Sequence, residues 1–151
     1  MSLYDQFRTM TDVDKVLVAF DGTPLARKAL AHALSVYPEA SITVLHVIDY
    51  VEESYSARML VGSERLRERA RERSQGLLET AREIAAEQDR SVETATVVGE
   101  SAAEIVAYAE GNEMDIIVLG SHGRSGVSRV LLGSVAETVM RRASTPVCVV
   151  R

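Results

Sequence analysis

Five short apolar runs, each separated from the next by a stretch of helical character, constrain this chain more than any other feature. Lys15 to Asp21, Ile42 to Ile48, Val92 to Val98, Asp115 to Ser121 and Thr145 to Val150 are rich in β-branched residues, which marks them as strands. After the first run, Thr23 is placed to cap a helix and Pro24 to occupy its first turn. Leu25, Ala29, Leu30, Ala33, Leu34 and Tyr37 recur at helical spacing, and Pro38 ends that pattern. A second helix is expected over Ser63 to Gln88, with Leu66, Ala70, Leu77, Ala81, Ile84 and Ala85 as its buried stripe. Ser101 with Glu104 has the form of a capping box for a third helix through Ala109. A fourth is expected from Ser134 to Arg142.

Strict alternation of strand and helix implies right-handed crossovers and a parallel sheet with helices on both faces. Strands covered on both faces read as continuous apolar runs, as these do. Ligands of such sheets bind beyond the carboxyl ends of the strands, where strand order switches. Those ends are Asp21, Ile48, Val98 and Ser121. Asp49 to Gly62 has no clear period and reads as a long loop, in which Tyr50, Tyr55 and Met59 either cover the site or lie on an ordinary surface.

The 151 residues suit one domain, taken as residues 15–151 after a polar tail at 1–14. No apolar stretch approaches the roughly 20 residues that cross a membrane, and the tail lacks the apolar core of a signal peptide. A cytoplasmic location is the expectation. A net charge of −5 argues against a nucleic-acid backbone as partner. The paired charges Glu64/Arg67 and Glu68/Arg71 read as a solvated helix face. The single cysteine, Cys148, lies in an apolar run and reads as an inert buried thiol. The three histidines lack metal-ligand spacing, so no metal site of side chains is expected. His46, inside a strand, reads as a core residue rather than a ligand, and His122 as a residue that shapes its loop, with reach to a phosphate as its other reading.

The fourth strand runs into Gly120-Ser121-His122-Gly123, and Gly133-Ser134 follows nine residues later at a helix start. Strand, glycine loop and helix start are the parts of a phosphate cradle. The loop is not a P-loop, because no lysine follows the second glycine. A dinucleotide fingerprint is also absent, since Asp21-Gly22-Thr23-Pro24 after the first strand holds one glycine. The spacing Gly120-x-x-Gly123-x9-Gly133-Ser134 fits a different pattern.

With the first-strand aspartate, the Leu45-His46-Val47-Ile48-Asp49 strand end and the terminal Thr145 to Val150 strand, the chain closely resembles the universal stress protein family, in its ATP-binding branch. The resemblance covers about Lys15 to Arg151. It implies an open α/β sheet of five parallel strands ordered 3-2-1-4-5, the adenine nucleotide alpha hydrolase-like fold. It also implies a homodimer through the last strand, Thr145 to Val150, whose apolar edge is a liability when unpaired. By the same resemblance, Asp21 meets the ribose and phosphate side of the nucleotide, and Ala19, Phe20 and Val47 line the adenine. Leu119 and Gly120 border the ribose, and Gly123, Arg124, Gly133, Ser134 and Val135 hold the phosphates. ATP or another adenine nucleotide is the implied ligand, with Mg²⁺ held mainly by its phosphates.

The residues keep second readings open. Ser134 with Glu137 is also a capping box, Asp21 also fits the Gly22-Thr23 turn, and Arg124 also fits a solvated loop. The expected function is that of a nucleotide-dependent regulatory or stress-response factor without dedicated catalytic residues. A slow ATPase or autophosphorylating enzyme, using Ser121, Ser125, Ser128 or Ser134 with His122 as base, is the first alternative. A nucleotide-free interaction module is the second.

Overall fold

The computed structural model describes residue 3 and residues 12–50, 63–122 and 132–151. Five parallel strands form one sheet: β1 (Lys15–Ala19), β2 (Ser41–Ile48), β3 (Glu93–Val98), β4 (Ile116–Gly120) and β5 (Val147–Val150). Their order is β3-β2-β1-β4-β5, as expected. Between them run α1 (Pro24–Val36), α2 (Ser63–Glu87), α3 (Ser101–Gly111) and α4 (Ser134–Arg142).

Strand alternation sorts the apolar side chains into two cores. Val16, Val18, Ile42, Val44 and Val118 pack with Ala29, Leu30 and Ala33 of α1 and with Leu78, Ala81 and Ala85 of α2. Leu17, Leu45, Ile117 and Leu119 face the other way, against Ala102 and Ile105 of α3 and Ala136 and Val139 of α4. Val16, Leu17 and Val18 are wholly buried, because β1 is central and covered on both faces.

Two polar ties fix the end of the sheet opposite the ligand edge. Asp115 Oδ2 accepts the N–H groups of Asp14 and Lys15, both at 2.9 Å, which sets β4 beside β1. Arg90, after α2, donates from Nη1 to the Leu34 carbonyl at 2.7 Å and from Nη2 to those of Tyr37 and Ala40 at 3.3 and 3.0 Å. A cation there satisfies carbonyls that the end of α1 leaves open. Arg90→Ala is expected to lower the unfolding free energy by about 1–3 kcal/mol. Urea unfolding checks this, and a loss below about 0.5 kcal/mol would show that the fork carries no net stability.

Thr23 caps α1 as expected, its hydroxyl accepting the Ala26 N–H at 3.4 Å with Pro24 in the first turn. The capping box expected at Ser101 does not form: Glu100 holds the N-cap position without a side-chain hydrogen bond. Glu104 instead lays its side chain over Gly99, where a Cβ would meet Glu104 Cγ and Oε1 at 2.6 Å. Cys148 is half-buried rather than buried, because β5 is an edge strand, and its Sγ lies 3.9 Å from His32 Nε2. Tyr55 and Met59, of the expected long loop, lie outside the described residues.

Candidate functional site

The carboxyl ends of β1, β2 and β4 and the amino ends of α1, α3 and α4 surround one cleft. A helix start carries unpaired N–H groups and a partial positive charge, so three of them together favour an anion.

Chain geometry at the β1 end follows from one turn. Gly22 has φ +81°, a conformation that L side chains rarely adopt. It turns the chain so that Asp21 Oδ1 accepts both the Thr23 N–H at 3.1 Å and the Thr23 hydroxyl at 2.6 Å. The turn reading of Asp21 is therefore realised through Oδ1. Asp21 also lines the cleft, beside Ala19 and Phe20.

At the β4 end the glycines are needed for space. A Cβ on Gly120 would lie 2.8 Å from Leu25 Cβ and 3.0 Å from the Leu25 carbonyl carbon, so β4 meets α1 only without a side chain there. Gly133 approaches the strand end even more directly. Its N–H donates to the Ser121 carbonyl at 2.6 Å, and a Cβ on it would sit 2.9 Å from that oxygen and 3.3 Å from His122 Cα. Gly133 has φ −65°, so crowding and not a positive φ demands glycine.

This crowding corrects the capping reading of Ser134. Gly133 is the N-cap of α4, with no side-chain cap, and Ser134 is the first helical residue. No residue with a Cβ fits the N-cap position, so the capping box with Glu137 does not form. Glu137 pairs with Arg141 at 2.7 Å instead.

Ser121 is held from both sides: its N–H donates to the Val150 carbonyl at 2.8 Å, and its own carbonyl accepts from Gly133. Its hydroxyl lies 3.1 Å from His122 Nδ1. His122 Nε2 is buried and has no hydrogen-bond partner. On the β2 side, His46 Nδ1 lies 2.9 Å from Ser74 Oγ of α2, which lies 2.7 Å from Thr96 Oγ1 of β3. His46 and Ser74 are 3% and 1% exposed, so this polar chain ties α2 to the sheet from inside the core.

Of the expected site residues, Ala19, Phe20, Asp21, Val47, Leu119, Gly120, Gly133, Ser134 and Val135 all line this cleft. They come from β1, β2, β4 and α4, brought together across a hundred residues of sequence. Gly123 and Arg124 lie outside the described residues. Val98, counted among the strand ends, does not line the cleft, because β3 is the outermost strand on that side. The sequence reading missed Asp49, Ser101 and Ile105, while His46, read as a core residue, is buried as expected and also borders the cleft. Ser101 was within reach of topology, since it opens the helix after β3 at the same sheet edge.

The universal stress protein family pattern matches residues 12–151. The chain belongs to the universal stress protein family. Universal stress protein MJ0531 of Methanocaldococcus jannaschii is 34% identical over 140 residues, which span 91% of this chain and 81% of that protein. The solved structure of MJ0577 from the same organism superposes with a TM-score of 0.78 at 31% identity, over 91% of this chain and 95% of that one. A universal stress protein crystallised in complex with cAMP shares the fold, with a TM-score of 0.68 at 24% identity over 92% and 97% of the two chains. Among the described residues, no helix of this universal stress protein is long and apolar enough to cross a membrane.

Proposed function

We propose that the cleft binds an adenine nucleotide, ATP foremost, and that the chain is an ATP-binding universal stress protein acting as a nucleotide-dependent regulatory factor in the cytoplasm. The observation that carries this reading is the glycine N-cap of α4, pressed against the end of β4 so tightly that a Cβ would not fit there. Backbone N–H groups at a helix start, with no side chain in the way, suit a phosphate. The cAMP complex of a protein of the same fold lends support.

In this reading Ala19, Phe20 and Val47 form the apolar wall for the base, and Leu119 and Gly120 border the ribose. Asp21, whose Oδ1 is occupied by the turn, meets the ligand through Oδ2. Ser134 and Val135 offer N–H groups to the phosphates beside Gly133, whose own N–H is spent on Ser121 and which leaves room for their approach, and Gly123 and Arg124 belong to the same side by sequence. Magnesium would arrive held by the phosphates, since no three of His, Cys, Asp and Glu come together among the described residues. Residues 15–151 act as one domain, and two copies pair through β5 and its flanks, Thr145 to Val150. That strand is hydrogen-bonded to β4 on one side only.

The test is thermal unfolding with and without millimolar MgATP. Ligand at about 100 times its dissociation constant adds roughly 2.7 kcal/mol and raises the melting temperature by several degrees. Asp21→Ala is expected to cut that shift by half or more. No stabilisation of the unsubstituted protein by ATP, ADP, AMP or cAMP would sink the reading. Small molecules released from freshly purified protein, identified by mass spectrometry, would name the nucleotide.

A further inference from the structure

Glycine has the freest backbone of any residue, yet Gly22 sits in the turn that must hold a charged side chain still. With φ +81° it carries the chain from Asp21, after β1, to Thr23, the cap of α1. Two ties on this turn are local. Asp21 Oδ1 accepts the Thr23 N–H and hydroxyl, and the Gly22 carbonyl accepts from Arg27 Nε at 3.1 Å. A third comes from far along the chain. Leu77 of α2 fills the space that a side chain on Gly22 would take, its Cδ2 lying 2.5 Å from where the Cβ would be. We infer that Leu77 is a positioning residue for ligand binding, which fixes the Gly22 turn and through it the Asp21 carboxylate. The inference rests on the nucleotide reading above and adds α2, none of whose described residues lines the cleft.

Two features make this contact a restraint and not filling alone. First, Leu77 is itself held. One turn earlier on α2, Ser74 Oγ lies 2.9 Å from His46 Nδ1 on β2 and 2.7 Å from Thr96 Oγ1 on β3, and Ser74 is buried. Residues three apart share a helix face, so this polar pin sets where Leu77 comes down. An apolar contact re-forms after a small slide, but a slide of α2 would leave buried polar groups unpaired. Second, the local ties all run within residues 21–27 and can move with the turn as a unit. A contact from another element is what refers the turn to the rest of the fold. By linkage, a ligand that needs Asp21 in place also strengthens the seat of α2.

The experiment measures calorimetric affinity for MgATP. Leu77→Ala is expected to weaken it by about fivefold or more, and by under about twofold where Asp21 is already alanine. Leu77→Met, which keeps the volume, is expected to retain affinity within about twofold. Leu78→Ala removes a more deeply buried leucine at the next position of α2. It is expected to cost more stability yet leave affinity within about twofold. An equal loss from Leu77→Ala with and without Asp21, or an equal loss from Leu78→Ala, would show a general packing effect and overturn the inference. MgATP binding unchanged by Leu77→Ala would do the same. Should Leu77→Ala fail to fold, Leu77→Val faces the same comparison, with about threefold expected in place of fivefold.

A second measurement needs no nucleotide. Hydrogen exchange of the Thr23 amide, which donates to Asp21 Oδ1, is expected to speed up about tenfold or more in Leu77→Ala, taken relative to the Val18 amide in the central strand. Unchanged Thr23 exchange overturns the inference, and it decides the matter where Asp21→Ala binds too weakly for the affinity comparison. If the unsubstituted protein binds no nucleotide, the reading of the cleft falls, while Thr23 exchange still decides whether Leu77 fixes the turn. If it binds MgATP and neither readout responds to Leu77, the inference alone falls.

Discussion

Gly133→Ala should abolish the response to nucleotide while leaving most of the fold in place. The methyl group would sit 2.9 Å from the Ser121 carbonyl oxygen, a distance that real Cβ contacts essentially never show. Both neighbours are backbone, so no side chain can rotate to relieve the clash. Either the α4 start backs away and stretches the 2.6 Å hydrogen bond to Ser121, or the end of β4 moves with His122. Each response displaces the N–H groups offered to phosphate. Overpacking of this kind costs about 1–3 kcal/mol of stability. A displaced cradle should weaken ATP by roughly a hundredfold, about 2.7 kcal/mol of binding. Calorimetry and thermal unfolding read the two effects separately. A Gly133→Ala protein that binds ATP within threefold of the unsubstituted one would show that the cradle is not at α4.

Leu17→Ala should have the largest effect on stability of any single truncation considered. Leu17 is wholly buried in the central strand, flanked in register by Thr43 and Ile117. It shares a core with Leu45, Ile105, Ile117, Leu119 and Val139, drawn from two strands and two helices besides its own. A site enclosed by so many elements cannot collapse around a lost side chain, so the cavity term adds to the transfer term. The expected loss is about 3–5 kcal/mol, which for a domain of this size lowers the melting temperature by roughly 10 °C. Chemical denaturation with an unchanged slope would confirm that native stability fell, whereas a loss under about 1 kcal/mol would contradict the packing account. Because Leu45, Ile105 and Leu119 also line the cleft, ligand affinity is expected to fall as well.

The element order was legible because nearly every strand is a β-branched apolar run, and this pattern survives without knowledge of neighbours. The site was legible for a topological reason: a parallel sheet collects its strand ends on one edge, so Asp21 and Gly133 could be joined across the chain. What escaped depends on distant atoms. Ser134 has the sequence of a cap, but the space that denies a Cβ at the position before it is set by Ser121, on another element. Ser74 was absent from the buried stripe of α2 because serine is usually a surface residue. Spacing alone would have included it, since it lies four residues from both Ala70 and Leu78, and the structure buries all three. Its partners His46 and Thr96, on two different strands, explain why a hydroxyl belongs there.

The strand order has a consequence in time as well as in space. β1 is the first strand in the chain, yet one of its two edges is covered only by β4, about a hundred residues later. At ribosomal rates of roughly 5–20 residues per second, that edge waits on the order of ten seconds for its partner. Throughout the wait, Val16, Leu17 and Val18 form an open apolar border on a half-built sheet, the sort of edge on which nascent chains aggregate. The same arrival of β4 and α4 that closes this border also completes the cleft. A chain able to hold a ligand is therefore one whose most vulnerable edge has already been sealed.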